Sequence, residues 1–398
     1  MNRPIRVLSL YEGFFAGGAR ILHTDVIAGL HSGSNQQHSV LSIASAARRD
    51  SSMQHLHTDP RYVRLTQSGV EVTTLGRVAG VDAPAPATFT DRQLRVAANA
   101  VRQADVILSL KEQPIGLLLA LRERGLMPDI PVAACLHRSD PRHSGPALSW
   151  LSEASATGLL TADISCAEST SDAYRAFLAP ATERFVIGNG IDTDRFRPGS
   201  EDEQVTTRIR FGIPAAAPVV VLAARFDAMK NPGLFLRSAV LLSEQRPETH
   251  FLVCGAGMTL DNDAFRTLLD ESGVRAATNL HALGLRDDMP AIYQIADIVA
   301  LTSAFGEASP LCLLEGAASG ATPVTTDVGD SAITVKGIGF VTTHDPANIA
   351  AAWDGVLDRR PELRNHSLAA RARLGRQRMI AEYAAVVGGL LARDRAAA

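Results

Sequence analysis

Cysteine is scarce in this chain. There are four, Cys135, Cys166, Cys254 and Cys312, scattered in apolar settings without CxxC spacing. That argues against a disulfide scaffold or a thiolate metal site and predicts reduced core thiols in a cytosolic protein. No apolar run reaches the roughly 20 residues of a membrane-spanning helix. The opening MNRPIRVLSLYEG lacks a signal-peptide layout and reads as a first strand. No excess of one charge is present either: 39 basic against 42 acidic side chains leave a net charge of −3. Nothing in that balance favours a nucleic-acid partner. Internal repeats are absent, and the only biased tract is a short Pro/Ala loop at 82–90. No DxD-type acidic pair stands at a suitable strand end, so no metal ligand set is expected.

What is present suits two ordinary domains: 398 residues with 46% hydrophobic side chains. Ile5 to Leu10 reads as a strand, Tyr11 to Gly18 as a glycine-punctuated loop and Ala19 to Leu30 as a helix. This is a nucleotide-type opening without the GxGxxG pattern. Gly17 and Gly18 would let a backbone approach a ligand closely, and a tight strand-to-helix turn explains them equally well. Further strands are expected at Ser39 to Ala44, Val70 to Leu75, Val106 to Leu110, near 131–136 and at Ala162 to Glu168. Helices are expected at Asp91 to Gln103 and Ser169 to Leu178, with 45–69 irregular or partly helical. IGNGIDTDRFRPGS at 187–200 reads as a linker. The expected division is therefore 1–195, 196–375 and a C-terminal helix at 376–398 packing back on the first domain. The second half alternates strands with helices, which predicts a parallel doubly wound sheet.

Several strand exits carry chemistry, and ligands gather at carboxyl ends in open α/β sheets. In the first half, Lys111, Glu112 and Gln113 leave one strand, and His137, Arg138, Asp140, Arg142 and His143 leave another. The arginines suit an anionic acceptor, although a polar surface loop accounts for them too. In the second half, Arg225 ends the strand Val219 to Ala224, and Lys230 precedes a helix beginning about Pro232. Two cations beside a helix start can clamp a diphosphate.

The stretch AFGEASPLCLLEGAASGATPVTTDVGD, 304–330, places Glu307 and Glu315 seven residues apart. Ser309 followed by Pro310 reads as an N-cap and first helical position, with Gly320 ending the helix. The free N–H groups of Leu311 and Cys312 would favour phosphate. Glu315 would lie roughly 7–8 Å further along the axis. A capped amphipathic helix with two incidental glutamates is the alternative reading.

The E-x7-E spacing and the GATPVTTDVGD run resemble retaining GT-B glycosyltransferases of family four (group 1). So do RDDMPAIYQIADIVALTSAF at 286–305, IGNGIDTDRFRP at 187–198 and AARFDAMKNPGLFLRSA at 223–239, in the order that family shows. The resemblance implies two doubly wound Rossmann-like α/β domains facing across a cleft. It also implies transfer of a sugar from a nucleoside diphosphate sugar to an acceptor hydroxyl, with the anomeric configuration retained and no metal. Its donor base would be uracil or guanine ahead of others, and no separate cofactor is implied. By resemblance, Arg225 and Lys230 bind the donor phosphates, His137 and Glu307 the sugar, and Glu315 the ribose. Gly284 and Leu285 would lie at the nucleobase. Gly17, Gly18, Ser309, Leu311 and Cys312 would border the donor, while Arg20, Lys111, Arg138 and Arg142 would border the acceptor. Arg20 stands where the family has a glutamate, so a glutamate-dependent contact is not expected.

Seven arginines against Glu362 alone fill 359–378, ahead of a helix expected at Arg376 to Ala392. A solvated helix face is expected, with peripheral contact to anionic lipid at the inner membrane face as the alternative. A sugar-nucleotide epimerase and a catalytically silent scaffold are the competing functional readings.

Overall fold

The computed structural model describes residues 3–15, 17–49, 52–81, 83–274 and 279–397. Ala16 of the first glycine loop and Asp82 of the Pro/Ala loop lie outside the described residues. The chain divides into two compact units, one of Met1–Asn189 with Arg376–Ala398 and one of Gly190–Gly375.

Unit 1 is built on β1 (Ile5–Tyr11), β2 (Gln36–Arg49), β3 (Ser52–His55), β4 (Glu71–Ala79), β5 (Val106–Leu110), β6 (Val132–Leu136), β7 (Ala162–Ser165) and β8 (Glu183–Val186). The sheet order is β3-β2-β1-β5-β6-β7-β8, and β4 also pairs with β2. All pairings are parallel except β2 with β3. β5 and β6 are buried along their whole length, as expected where both sheet faces are covered. The order reverses direction between β1 and β5, which makes their carboxyl ends the switch point of this sheet.

Unit 2 carries β9 (Val219–Ala223), β10 (His250–Cys254), β11 (Asn279–Gly284), β12 (Ile298–Leu301), β13 (Thr322–Thr326) and β14 (Phe340–Thr342). They run in the order β11-β10-β9-β12-β13-β14, all parallel. Strand residues alternate between two cores. Val219, Val221 and Leu252 join one, and Val220, Leu222, Phe251 and Val253 the other. A period of two with apolar residues on both faces is what turns the valine run into a central strand. Here the switch point falls between β9 and β12.

Some elements differ from expectation. Residues 45–69 are not chiefly irregular: β2 continues to Arg49, β3 follows, and Pro60–Gln67 is helical. Pairing of Ala44–Ala47 with β4 outweighs the Ser/Arg-rich composition. β7 stops at Ser165, and its helix begins at Glu168 and ends at Tyr174. The unit boundary falls at Asn189/Gly190 rather than at 195, because residues after Gly190 pair within unit 2. Ile191 donates its N–H to the Leu374 carbonyl at 2.9 Å.

The last helix, Arg376–Ala397, belongs to unit 1. It buries Met379, Tyr383, Val387 and Leu390 and packs on the helix Gly18–Gly33. A Cβ at Gly29 would lie 2.4 Å from Ile380, so glycine permits that approach. The basic run is largely occupied within the protein. Arg359 pairs with Glu362 at 2.7 Å and Arg360 with Asp297 at 3.6 Å. Arg371 bonds the carbonyls of Phe196, Ala318 and Thr193, and Arg378 bonds those of Gly188 and Asn189. No helix among the described residues is long and apolar enough to cross a membrane.

Candidate functional site

The unit 2 site grows from the exits of β9 and β12. After β9 the chain turns through Arg225 to Asn231, and Lys230 donates its backbone N–H to Asp227 Oδ1 at 3.0 Å. Asn231 adopts φ 46 and caps the helix Pro232–Gln245 through its side chain. The loop after β12 is stitched onto this turn. Ala304 N donates to the Met229 carbonyl at 2.8 Å, and Thr302 Oγ1 reaches the carbonyls of Lys230 and Asn231. Ser303's carbonyl in turn accepts from Thr326 Oγ1 at 2.7 Å and lies 3.0 Å from His344 Nε2.

This stitching brings Lys230 and Glu307 into a buried ion pair in which Glu307 Oε1 accepts from both Lys230 Nζ and Ser303 Oγ. Glu307 is 6% exposed. Its Oε2 makes no hydrogen bond among the described residues, so one carboxylate oxygen can still accept from a hydroxyl. Arg225, by contrast, is exposed and pairs with its neighbour Asp227 at 2.8 Å. It shares a loop with Lys230 but joins the cluster through no described contact.

Gly329 holds the far side of the Glu307 loop. It sits at φ +57, where a Cβ would lie 2.0 Å from the Glu307 carbonyl oxygen. Asp330 N then donates to the Ala308 carbonyl at 3.1 Å. With the entering chain clasped in this way, Pro310 is extended (ψ 114) and takes the cap position. The helix is Leu311–Ser319, one residue later than expected, and its cap residue Pro310 makes no side-chain cap bond. The donors of its first turn begin at Leu311 and Cys312, and Glu315 stands about 6 Å further along.

Glu315 is half-buried and bonded to Tyr293, and burial raises its carboxyl to about 7 against the pull of Tyr293 and Arg195. Cys312 is pushed up to about 12 by burial, with the Lys230 charge opposing. At the neighbouring strand ends, Gly284 (φ +62) donates to the Met258 carbonyl at 2.8 Å and accepts from Gly255 N at 2.7 Å. Leu285 beside it is 81% exposed.

Unit 1 gathers a second charged cluster at its own switch point. Arg20, 4% exposed, donates to the Gly13 carbonyl at 2.7 Å and to Glu12 at 3.3 Å, and it lies over the Phe15 ring. The arginine thus braces the glycine loop. Gly17 caps the helix Gly18–Gly33 without a side-chain bond. Glu112 is fully buried and accepts from Tyr174 Oη and, at 3.5 Å, from Arg138. Burial pushes Lys111 down to about 8, helped by Arg20 and Arg138. Burial also lowers His137 to about 3, so it is neutral at ordinary pH. Arg142 is exposed on a short turn at Pro141–Ser144 and does not join this cluster.

Reading the sequence missed Ser303, Gly329, Tyr293, Glu12 and Tyr174. Gly329 and Tyr293 lie inside stretches that carry the family resemblance. Ser303 lies in such a stretch too, at 286–305, whereas Tyr174 has no sequence signal beyond position. None of the four cysteines forms a disulfide among the described residues; Cys135, Cys166 and Cys254 are buried and Cys312 half-buried. Among the described residues, no three His, Cys, Asp or Glu side chains converge as a metal set.

Residues 217–359 match the family described as Glycosyl transferases group 1. The D-inositol 3-phosphate glycosyltransferase of Corynebacterium aurimucosum is 30% identical over 206 residues, covering 50% of this chain and 48% of that protein. The enzyme of that name from Salinispora arenicola is 32% identical over 195 residues, covering 46% and 42%. The chain thus spans about half the length of the curated relatives it matches or less. Among solved structures, Anabaena Alr3699/HepE in complex with UDP and glucose aligns over 96% of this chain and 99% of that one, with TM-score 0.73 and 17% identity. A glycosyltransferase from Rickettsia africae aligns over 98% and 99%, with TM-score 0.73 and 12% identity. Residues 217–359 therefore carry a glycosyl transferases group 1 domain, within a chain whose two Rossmann-like α/β units have the GT-B fold.

Proposed function

We propose that this chain is a retaining glycosyltransferase that moves a sugar from a nucleoside diphosphate sugar to an acceptor hydroxyl. The observation that carries this reading is the Lys230–Glu307 pair at the β9/β12 switch point, beside the open helix start at Leu311. Lys230, the N–H groups of Leu311 and Cys312, and Arg225 swinging from Asp227 would neutralise charge on the departing diphosphate. Glu307 Oε2 would hold a sugar hydroxyl, and Glu315 the ribose hydroxyls. Gly284 and Leu285 would border the base. Uridine is the favoured base, because similar structures were solved with UDP and UDP-glucose.

For unit 1, taken by itself, the family resemblance assigns sugar contacts to His137, Gly17 and Gly18 and acceptor contacts to Arg20, Lys111 and Arg138. Attack from the leaving-group face lets a diphosphate oxygen take the acceptor proton as the new glycosidic bond forms, so no separate protein base is needed. Protein cations supply the charge that a metal would otherwise provide, and excess EDTA should leave the rate unchanged. A thermal-shift screen of UDP-, GDP-, ADP- and TDP-glucose tests the donor assignment, since a ligand of the folded state raises stability by mass action. UDP-glucose should give the largest shift, and Lys230→Met should remove it. Equal shifts in the variant would move the donor elsewhere. Incubation with donor alone separates an epimerase, which would return an altered sugar nucleotide.

A further inference from the structure

We propose that His344 is a positioning residue for Glu307: it locks the peptide group from which Ser303 holds that carboxylate. The part it plays in turnover rests on the glycosyl-transfer reading; the mechanical link rests on contacts within unit 2 alone.

Glu307 Oε1 accepts from Ser303 Oγ as well as from Lys230 Nζ. The direction of the Ser303 side chain therefore helps to set where the other oxygen, Oε2, points. That direction follows from the peptide group joining Ser303 to Ala304, whose N–H and both carbonyl lone pairs are engaged. The N–H donates to the Met229 carbonyl at 2.8 Å. The carbonyl accepts from Thr326 Oγ1 at 2.7 Å, and His344 Nε2 lies 3.0 Å from it. A carbonyl cannot donate, so His344 Nε2 carries the hydrogen of this bond. The imidazole makes it neutral, in that tautomer, or protonated. Three segments thus grip one peptide plane: the loop leaving β9, the end of β13 and the turn leaving β14.

His344 is itself fixed by its neighbours. β14 before it pairs with β13, with Thr326 opposite Thr342. Thr343 Oγ1 accepts from Asn348 Nδ2 at 2.8 Å, and Asp345 caps the helix Pro346–Asp358 by accepting from Ala347 N at 2.8 Å. The residue is exposed, whereas Ser303 is fully buried. Core packing therefore does not explain an imidazole turned inward to a buried carbonyl. Without His344 the carbonyl keeps only the Thr326 bond and can tilt about it, carrying Ser303 Oγ and Glu307 along. Small misplacements of a group that holds substrate are costly in rate. Gln has an N–H that can reach about as far as Nε2, Asn is shorter, and Leu has no donor.

Lysine occurs three times, at Lys111, Lys230 and Lys336. Carbon NMR of lysine-labelled full-length protein therefore resolves the Lys230 Cε signal, assigned with Lys230→Arg, and that signal reports the carboxylate paired with it. His344→Leu and His344→Asn should both move it, His344→Gln should leave it at the wild-type position, and Lys111 should stay unmoved throughout. The second readout is turnover of UDP-glucose with water as acceptor. A water oxygen bonds to the sugar's anomeric carbon, the bond to the diphosphate breaks, and UDP leaves with a water proton. His344→Leu and His344→Asn should lower kcat about fivefold with KM within about twofold, and His344→Gln should restore most of the rate. In a Ser303→Ala background, where Glu307 has lost its bond to this segment, His344→Leu should have no further effect. An unmoved Lys230 signal in both the Leu and Asn variants would overturn the proposal. So would failure of Gln to restore the rate, or the full effect persisting in Ser303→Ala. If the Lys230 signal moves as stated but the wild type turns over no UDP-glucose, the link stands and the donor reading fails.

Discussion

Lys230 reaches across 77 positions of sequence to share Glu307 Oε1 with Ser303. That contact ties the loop leaving β9 to the loop leaving β12, the two strands between which the second sheet reverses direction. The donor assignment turns on it.

Removing one partner should leave the other buried and uncompensated. Lys230→Met alone should destabilise unit 2 by about 3 kcal/mol, as should Glu307→Leu alone. The double variant should cost clearly less than the sum. Denaturant unfolding of the three variants checks this, and strict additivity would mean that the pair is not coupled. Glu307→Gln keeps an acceptor for both partners. It lacks the charge that offsets Lys230, so it should cost some stability but less than Glu307→Leu, and it should preserve nucleotide binding while abolishing transfer.

Gly329→Ala should act on the same loop from behind. The added Cβ would meet the Glu307 carbonyl at 2.0 Å, at a φ of +57. The expected cost is about 2 kcal/mol or more, with a larger fall in kcat/KM than in stability. A variant as active and stable as the wild type would show that Glu307 needs no such clasp.

Acid should open unit 1. His23, His38 and His137 are each lowered to about 3, mainly by burial. Below about pH 6.5 the unfolded chain takes up protons that the folded unit refuses, so stability is lost as pH falls from there toward 3. Three such groups give a slope of up to about 4 kcal/mol per pH unit. Asp163, raised to about 6 by burial, opposes them with a single group. Hydrogen exchange at pH 7 and pH 4.5 should show protection lost first in β1, β5 and β6. Equal loss in both units would contradict this.

Nucleotide affinity should rise with pH through about 7, because Glu315 accepts two hydroxyl hydrogens best when ionised. Its carboxyl is raised to about that value by burial, and Tyr293 holds it down. Tyr293→Phe should therefore move the midpoint upward, and Glu315→Ala should weaken UDP binding at every pH. Calorimetry with UDP between pH 5.5 and about 8.5 reads both effects. A flat profile in the wild type would remove Glu315 from the ribose.

Much of unit 2 was legible because its chemistry sits at strand exits. Val219–Ala223 is a continuous apolar strand, and whatever follows it must emerge at the sheet edge, as Arg225 and Lys230 do. The partner of Lys230 was not legible, since the sheet order that sets β9 beside β12 is a long-range pairing without local trace. Pro310 misled for a related reason. Its fixed φ suits a first helical position, but the Gly329–Asp330 clasp holds its ψ extended and starts the helix at Leu311. Arg20 looked like a lost contact and is instead the brace of its own loop. Residues 45–49 looked irregular or partly helical by composition, but pairing with β3 and β4 keeps them in β2.

Retention separates this reaction from an inverting one, for which His137 is the candidate base among the described residues. Proton NMR of the first glucoside formed from UDP-glucose, in excess EDTA, reads the configuration. An α-linked glucoside from the α-linked donor is expected, with His137→Ala slower but showing no shifted pH profile. A β-linked first product would contradict the account and make His137 the base.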